Sequence, residues 1–341
     1  MIRKLKLVNL GPLDALEWAP KAGINVLVGR NMSGKTMLLK ALYVTQRVIE
    51  QHGRGEERRS LGELASEKLY WTFQCGDLHQ LVRREGGRAM ELDAELTEGA
   101  LHVEVGPRAS RNAVATSTGL RPRSGNSLFF PAKEVLSLHA SVLRSRDELQ
   151  SFGFDDTYYD LARALLSPTS KGKNIKAFAD ARTLLAEHFG GRMEMEAGLP
   201  PAWYFKQGNR RTPLGVTAEG VRKIGILDQL LGNRYLTADS VLFFDEPESA
   251  LHPDAILLLM EILLGLAAEG MQIFLSTHSY FVLKALGVLA AERGCGGDVG
   301  WLSLGGNGPA TAGDLSAGLP ENPIIRSAIQ LYERQIGDWG E

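Results

Sequence analysis

Gly29-Arg30-Asn31-Met32-Ser33-Gly34-Lys35-Thr36 fits G-x-x-x-x-G-K-[ST], the phosphate-binding P-loop, and the chain is organised around it. In such a loop the glycines let the backbone turn tightly enough to aim N–H groups at phosphate oxygens. The following helix N-terminus adds partial positive charge. Lys35 is placed to reach β/γ-phosphates and Thr36 to ligate Mg²⁺, so residues 29–36 are the candidate nucleotide-binding set. The pattern alone can arise by chance, and its flanks argue against that. Residues 24–28 read as a short buried strand and 37–48 as an amphipathic helix, the strand–loop–helix context that the motif requires.

With 341 residues the chain suits one elaborated domain or two lobes. Its 44% hydrophobic and 23% charged content is ordinary for a globular protein. A formal net charge of −2 gives no global attraction to nucleic acid, so any such contact depends on a local patch. The cysteines, Cys75 and Cys295, cannot build a disulfide framework and lack the clustering of a zinc site. The charged start Met1-Ile2-Arg3-Lys4 does not read as a signal peptide, and no apolar run approaches the ~20 residues of a membrane span. A cytoplasmic location with no membrane contact is therefore expected.

Residues 2–10 alternate Lys4 and Lys6 with Leu5 and Leu7, the period of a half-buried strand, predicted here as an edge strand near the P-loop strand. Residues 51–59 are charged and read as an exposed connection. Short strand-like runs at 70–73, 78–83, 89–92 and 101–105 predict a small antiparallel sheet beside the nucleotide lobe. Residues 106–127 then turn polar and carry Arg108, Arg111, Arg121 and Arg123 with no acidic residue, the best local candidate for a nucleic-acid contact. A solvated loop is the competing reading of such a charge run. Residues 128–131 re-enter the core, and 134–149, 160–166 and 175–189 have helical spacing, a helical insertion with a second basic cluster at Lys171, Lys173 and Lys176.

The last third returns to alternating strands and helices. Residues 219–231 place Val221, Ile224, Leu227 and Leu231 on one helical face, with Arg222, Lys223 and Asp228 elsewhere. Residues 241–244 and 272–275 suit central strands, and the nearly all-apolar stretch 253–268 predicts a deeply buried helix opened by Pro253. Residues 299–304 read as an edge strand in the glycine-rich segment 294–308, and 322–336 as a closing amphipathic helix. The expected organisation is 1–105 (P-loop and antiparallel strands), 106–210 (basic loop and helical insertion) and 211–341 (the rest of the nucleotide lobe).

Asp245 and Glu246 end the 241–244 run, where ligands gather at the carboxyl edge of a parallel sheet. Asp245 is the candidate Mg²⁺ carboxylate, and Glu246 the candidate that orients or deprotonates an attacking water. Ser276-Thr277-His278 follows the 272–275 run, and His278 is placed to bond a γ-phosphate oxygen or that water. With Lys35, Glu246 and His278 form the candidate catalytic set.

The order of the P-loop, Asp245-Glu246-Pro247-Glu248, Ser249-Ala250-Leu251-His252-Pro253 and Ser276-Thr277-His278-Ser279 resembles the ABC-type ATPase heads of the SMC, RecF and OLD (overcoming-lysogenization-defect) families. Within them it is most similar to the stand-alone bacterial "AAA family" ATPases of the OLD-like group. The resemblance covers residues 2–50 and 213–288 and extends to the middle only in layout. It implies an α/β P-loop NTPase with an ABC/SMC-like mixed central sheet, a small antiparallel β subdomain and a helical insertion, using ATP and Mg²⁺. It makes Asp245 and Glu246 the Walker B pair, Ser249, Leu251 and His252 part of the D-loop, and His278 the switch histidine. Thr217-Ala218-Glu219-Gly220 falls where the signature should be, which in such ATPases binds the γ-phosphate held by the other subunit. Here the usual serine is Thr217, one residue out of register, or is replaced by Ala218. Met32 replaces a common P-loop glycine, and no glutamine marks a Q-loop, near which Lys133 and Glu134 fall.

The resemblance implies ATP hydrolysis with head-to-head homodimerisation, coupled to a separate effector such as a nuclease or toxin, in anti-phage defence or another DNA-linked process. Too little chain follows His278 for a TOPRIM nuclease domain. A DNA-binding, RecF-like repair ATPase is the main rival, resting on the four arginines, and DNA or RNA is the possible nucleic-acid partner. A transporter nucleotide-binding subunit is disfavoured by the long stretch between P-loop and signature, and a nucleotide-sensing scaffold differs only in turnover.

Overall fold

The computed structural model describes residues 1–52, 59–84, 87–168, 172–196, 198, 201–305 and 309–338. Its first part comprises β1 (Ile2–Leu10), β2 (Leu13–Trp18), β3 (Ile24–Gly29), α1 (Lys35–Gln51), α2 (Leu61–Phe73), β4 (Met90–Leu96) and β5 (Gly99–Val105). Next come β6 (Val114–Thr118), β7 (Ser127–Phe130), α3 (His139–Asp147), α4 (Asp156–Leu165), α5 (Lys176–Phe189), β8 (Arg192–Glu196), β9 (Ala202–Gln207) and β10 (Arg210–Pro213). The last part holds α6 (Glu219–Gly232), β11 (Val241–Asp245), α7 (Pro253–Ala268), β12 (Gln272–Thr277), α8 (Tyr280–Glu292), β13 (Val299–Leu304), β14 (Thr311–Asp314) and α9 (Pro323–Asp338).

A six-stranded sheet in the order β14-β13-β3-β12-β11-β7 carries the P-loop. It is parallel except for the β13/β14 pair, so the fold is α/β with a mixed central sheet. Both faces are covered, which is why its strands are continuously apolar. Leu128, Phe130, Leu242, Phe244, Ile273 and Leu275 face the helices that follow β7. Phe129, Phe243 and Phe274 face α1 and a five-stranded antiparallel sheet, order β2-β1-β4-β5-β6. A third sheet, β10-β9-β8, stands apart.

Two kinds of contact hold α1 in place. Phe129, Phe243 and Phe274 stack with centroids 6.3 and 5.3 Å apart, and Tyr43 of α1 meets Phe129 and Phe243 edge-on at 5.7 and 5.8 Å, a preferred aromatic geometry. Behind it lies a buried polar cluster. The Tyr43 hydroxyl donates to Asp160 of α4, which also accepts from Arg47 Nε (3.1 Å) and from Lys68 Nζ of α2 (3.0 Å). Lys68 also reaches Asp156 at 2.7 Å. Burial opposes the Asp160 charge, but Arg47 and Lys68 outweigh it and hold this carboxyl well below the usual carboxylate range.

Several expectations are corrected. β1 is an inner strand of the five-stranded sheet, between β2 and β4, and does not pair with β3. Its alternation reflects the solvated outer face of that sheet, where Lys4 and Lys6 are exposed, and Gln272 links it to the central sheet by bonding both backbone groups of Ile2 at 2.8 Å. Residues 70–73 belong to α2, not to a strand. That helix is started by a Ser60/Glu63 capping box, and its packing overrides the local β preference of Tyr70-Trp71-Thr72-Phe73. Residues 78–81 form a 3₁₀ turn, whereas 89–92 and 101–105 fall in or against β4 and β5. The segment 106–210 contains α3, α4 and α5 but also supplies β7, a strand of the central sheet. β13 lies inside that sheet because β14 covers it. The helices predicted at 253–268 and at the close are present as α7 and α9, but α7 is buried on one face only, with Leu257 41% exposed and Glu261 at the surface, so it does not lie deep in the fold. Lys171 and residues 53–58 and 306–308 lie outside the described residues; Lys173 and Lys176 are exposed.

Phe243 is fully buried in the aromatic layer beneath α1. Phe243→Ala is expected to lower the unfolding free energy by about 3–5 kcal/mol, measured by urea denaturation followed by circular dichroism.

Candidate functional site at the carboxyl edge of the central sheet

β3 delivers the chain to the P-loop at Gly29, and Gly34 begins α1 with φ of 92°. A side chain there would be strained by that φ and would also press to 3.0–3.1 Å of Leu13 and Pro12. Met32, at φ of 64°, projects from the loop and is 94% exposed. The buried Lys35 ammonium donates to Gly29 O and Arg30 O, each at 2.9 Å. Burial pushes its pKa down, while Glu246, Asp245 and Glu248 pull the other way. Arg30 and Asn31 are exposed at the loop crest.

Strand register brings the remaining groups to the same edge. Asp245 pairs with Ser276 across β11/β12, and Thr277 pairs with Val28 across β12/β3. Thr36 Oγ1 therefore lies 3.0 Å from both Asp245 carboxylate oxygens, and Ser276 Oγ donates to Asp245 as well. A hydroxyl beside a carboxylate is the hard-oxygen set that Mg²⁺ takes when phosphates complete its shell, so these residues fit that ion.

Glu246 adopts φ of 47°, a left-handed conformation costing about 1–2 kcal/mol for a non-glycine residue. Its N–H donates to Ser276 O at 3.1 Å, and its carbonyl accepts from Ser249 N at 3.1 Å. The carboxylate lies 3.1 Å from His278 Nδ1, with the two side chains 35% and 52% exposed, so water can reach both. Thr277 Oγ1 donates to Glu248 at 2.6 Å and accepts from Ser279 N at 2.9 Å, tying the turn after β11 to the one after β12.

Within that turn the candidate D-loop residues divide. Leu251 packs against the core, whereas exposed His252 accepts from Asp254 N at 3.4 Å and caps α7. Thr217-Ala218-Glu219-Gly220 lies against the same turn: a Cβ on Gly220 would meet Ala250 O at 2.6 Å. The buried Thr217 hydroxyl donates back to Pro213 O at 3.0 Å, and Ala218 is the N-cap of α6 with no side-chain cap. Val216 just before it is 76% exposed. Glu134 is buried, caps Ser137 N at 3.1 Å and faces Arg222 at 3.4 Å, while Lys133 is exposed.

The candidate basic patch loses one of its four arginines, while Arg108, Arg111 and Arg121 stay exposed. Arg123 is buried between Glu50 and Glu98 and donates to Asp239 O, and Arg111 lies over the Tyr70 ring at 4.1 Å. The acidic partners of Arg123 are distant in sequence, so the acid-free composition of 106–127 misleads. Sequence reasoning also missed Lys223. The apolar spacing of α6 sets it off the predicted buried face, yet it is buried, and burial pushes its pKa down to about 8. Nothing in the local pattern distinguishes it from a solvated lysine.

Residues 120–284, just under half of the chain, match the family described as "AAA domain, putative AbiEii toxin, Type IV TA system". No curated protein sequence matches significantly. Among solved structures the chain is similar to an SMC head bound to the C-winged helix domain of ScpA: 12% identity, TM-score 0.56, covering 92% of this chain and 97% of that one. It is also similar to an SMC head with an extended coiled coil bound to the C-terminal domain of ScpA from Pyrococcus furiosus: 12% identity, TM-score 0.54, covering 98% of each chain. The fold is that of an ABC/SMC-like P-loop ATPase head.

Thr36→Val keeps the shape of the side chain and removes its oxygen. The Mg²⁺ concentration for half-maximal binding of a fluorescent ATP analogue is expected to rise about tenfold, a cost of about 1.4 kcal/mol.

Proposed function

We propose that this chain binds and hydrolyses ATP with Mg²⁺, closes head-to-head with a second copy around two nucleotides, and uses that closure to regulate a separate effector protein. The observation that carries the reading is the convergence of Lys35, Thr36 and Asp245 with the Glu246/His278 pair at one edge of the sheet. The P-loop amides and Lys35 hold the β/γ-phosphates, and Thr36 and Asp245 hold the ion, which neutralises charge on the phosphates when bound. Glu246 orients a water and takes its proton, and His278, 3.1 Å away, steadies that carboxylate and faces the γ-phosphate.

The signature reading of α6 is supported by its start. Ala218 leaves the first-turn N–H groups without a side-chain acceptor, and such a helix start favours an anion. Exposed Val216 and Met32 flank the two half-sites that closure would join. An effector as a separate chain accords with the likeness to SMC heads that are themselves bound to ScpA. A nuclease or toxin as that effector, and a place in cytoplasmic anti-phage defence, follow from the OLD-like resemblance; the family matched at residues 120–284 is itself described as a putative toxin of a Type IV toxin–antitoxin system. The DNA-repair reading loses one of the four arginines on which it rested, Arg123, which is buried.

Lys35→Ala is expected to abolish ATP binding measured by calorimetry; undiminished binding would remove the site assignment. Glu246→Gln is expected to retain binding, lose about 10²- to 10⁴-fold in turnover, and accumulate as an ATP-dependent dimer in light scattering. A variant that stays monomeric at saturating ATP counts against closure.

A further inference from the structure

Lys223 is 8% exposed, and its Nζ lies 2.8 Å from Glu246 O, 3.0 Å from Ala132 O and 3.5 Å from Ser249 O. Among the described residues no carboxylate lies within ion-pairing distance of it. Ala132 follows β7, Glu246 and Ser249 follow β11, and Lys223 itself belongs to α6, so one ammonium joins the carboxyl ends of two neighbouring core strands to the candidate signature helix.

Burying a cation among carbonyls is a poor route to stability, because an apolar side chain of similar length fills the same space without desolvation. What an ammonium offers here is its three donors, each directed at a carbonyl oxygen. The shortest of the three contacts is to Glu246. At φ of 47° the aim of the Glu246 carboxylate depends on how its two flanking peptides are held. β12 holds the first through the 3.1 Å bond from Glu246 N to Ser276 O. Ser249 N and Lys223 hold the second, using both lone pairs of Glu246 O.

We infer that Lys223 is a positioning residue for hydrolysis: by gripping the Glu246 carbonyl it aims the Glu246 carboxylate, and through Ser249 it transmits movements of α6 to that carboxylate. The inference rests on the ATPase reading above and deepens it. Contact with substrate is not required of Lys223, so its loss affects turnover more than binding.

The test is Lys223→Met, alone and combined with Glu246→Gln, with ATP affinity, kcat and thermal midpoint measured for each. The expected result is affinity within about twofold of wild type and kcat lower by about 10²-fold, the scale of a displaced catalytic group. In the Glu246→Gln background the same change is expected to lower the residual rate less than about twofold, because the group that Lys223 aims is already gone. Wild-type kcat in Lys223→Met overturns the inference, as does a loss of equal size in both backgrounds, which a general structural role would produce. If Lys223→Met does not fold, Lys223→Leu, which also lacks a donor, enters the same cycle under the same criteria. Absence of ATP turnover in the wild type, or full turnover in Glu246→Gln, removes the ATPase reading and this inference with it. An active wild type, a silent Glu246→Gln and an unaffected Lys223→Met remove this inference alone.

Discussion

Register among β3, β12 and β11 is the constraint on which the rest of the structure depends. Side chains alternate along a strand, so a slip of one residue would turn Asp245 from the edge toward a helix and bury Phe243 on the wrong side. The present pairing puts Asp245 beside Ser276 and Thr277 beside Val28, and the oxygens around Thr36 follow from it. The same alternation sorts the phenylalanines: Phe129 and Phe243 go to the α1 side, Phe130 and Phe244 to the other. One choice of register therefore sets both the core and the reactive edge.

The cluster around α1 adds specificity that the aromatic layer cannot. Rings tolerate sliding, whereas Tyr43, Arg47, Lys68, Asp156 and Asp160 satisfy one another in one arrangement. Removing one of its charged partners would leave buried charge under-compensated, at a cost of about 3–5 kcal/mol. Because α1 starts at Lys35, this cluster fixes the helix whose first turn carries the Lys35 ammonium and the Thr36 hydroxyl.

Much of this was legible in the sequence because the decisive signals are local. The P-loop, the apolar runs of β11 and β12 and the acidic end of β11 each declare themselves within a few residues. What escaped depends on contacts between distant segments. Tyr70-Trp71-Thr72-Phe73 has the composition of a strand, and the packing of α2 against α1 and β6, once the Ser60/Glu63 capping box has started the helix, makes it helical. Arg123 reads as a surface charge until Glu50 and Glu98 are placed beside it. Lys223 reads as the polar side of an amphipathic helix until the carbonyls after β7 and β11 surround it. In each case the partners are far apart in the chain, where no spacing rule reaches.

The P-loop strand β3 sits between β12 and β13, so Ile24 is flanked by Ile273 and Val299. Its neighbours are thus among the last strands to be synthesised. During translation the P-loop emerges well before the strands that flank β3, and the sheet that shapes it closes only after β13 has left the ribosome. Such long-range parallel pairing is slow and leaves strand edges open in the meantime. The antiparallel pairing of β1 with β2 and β4 involves only early residues. The order of synthesis therefore separates an antiparallel scaffold that can form early from a P-loop surrounding that is completed late.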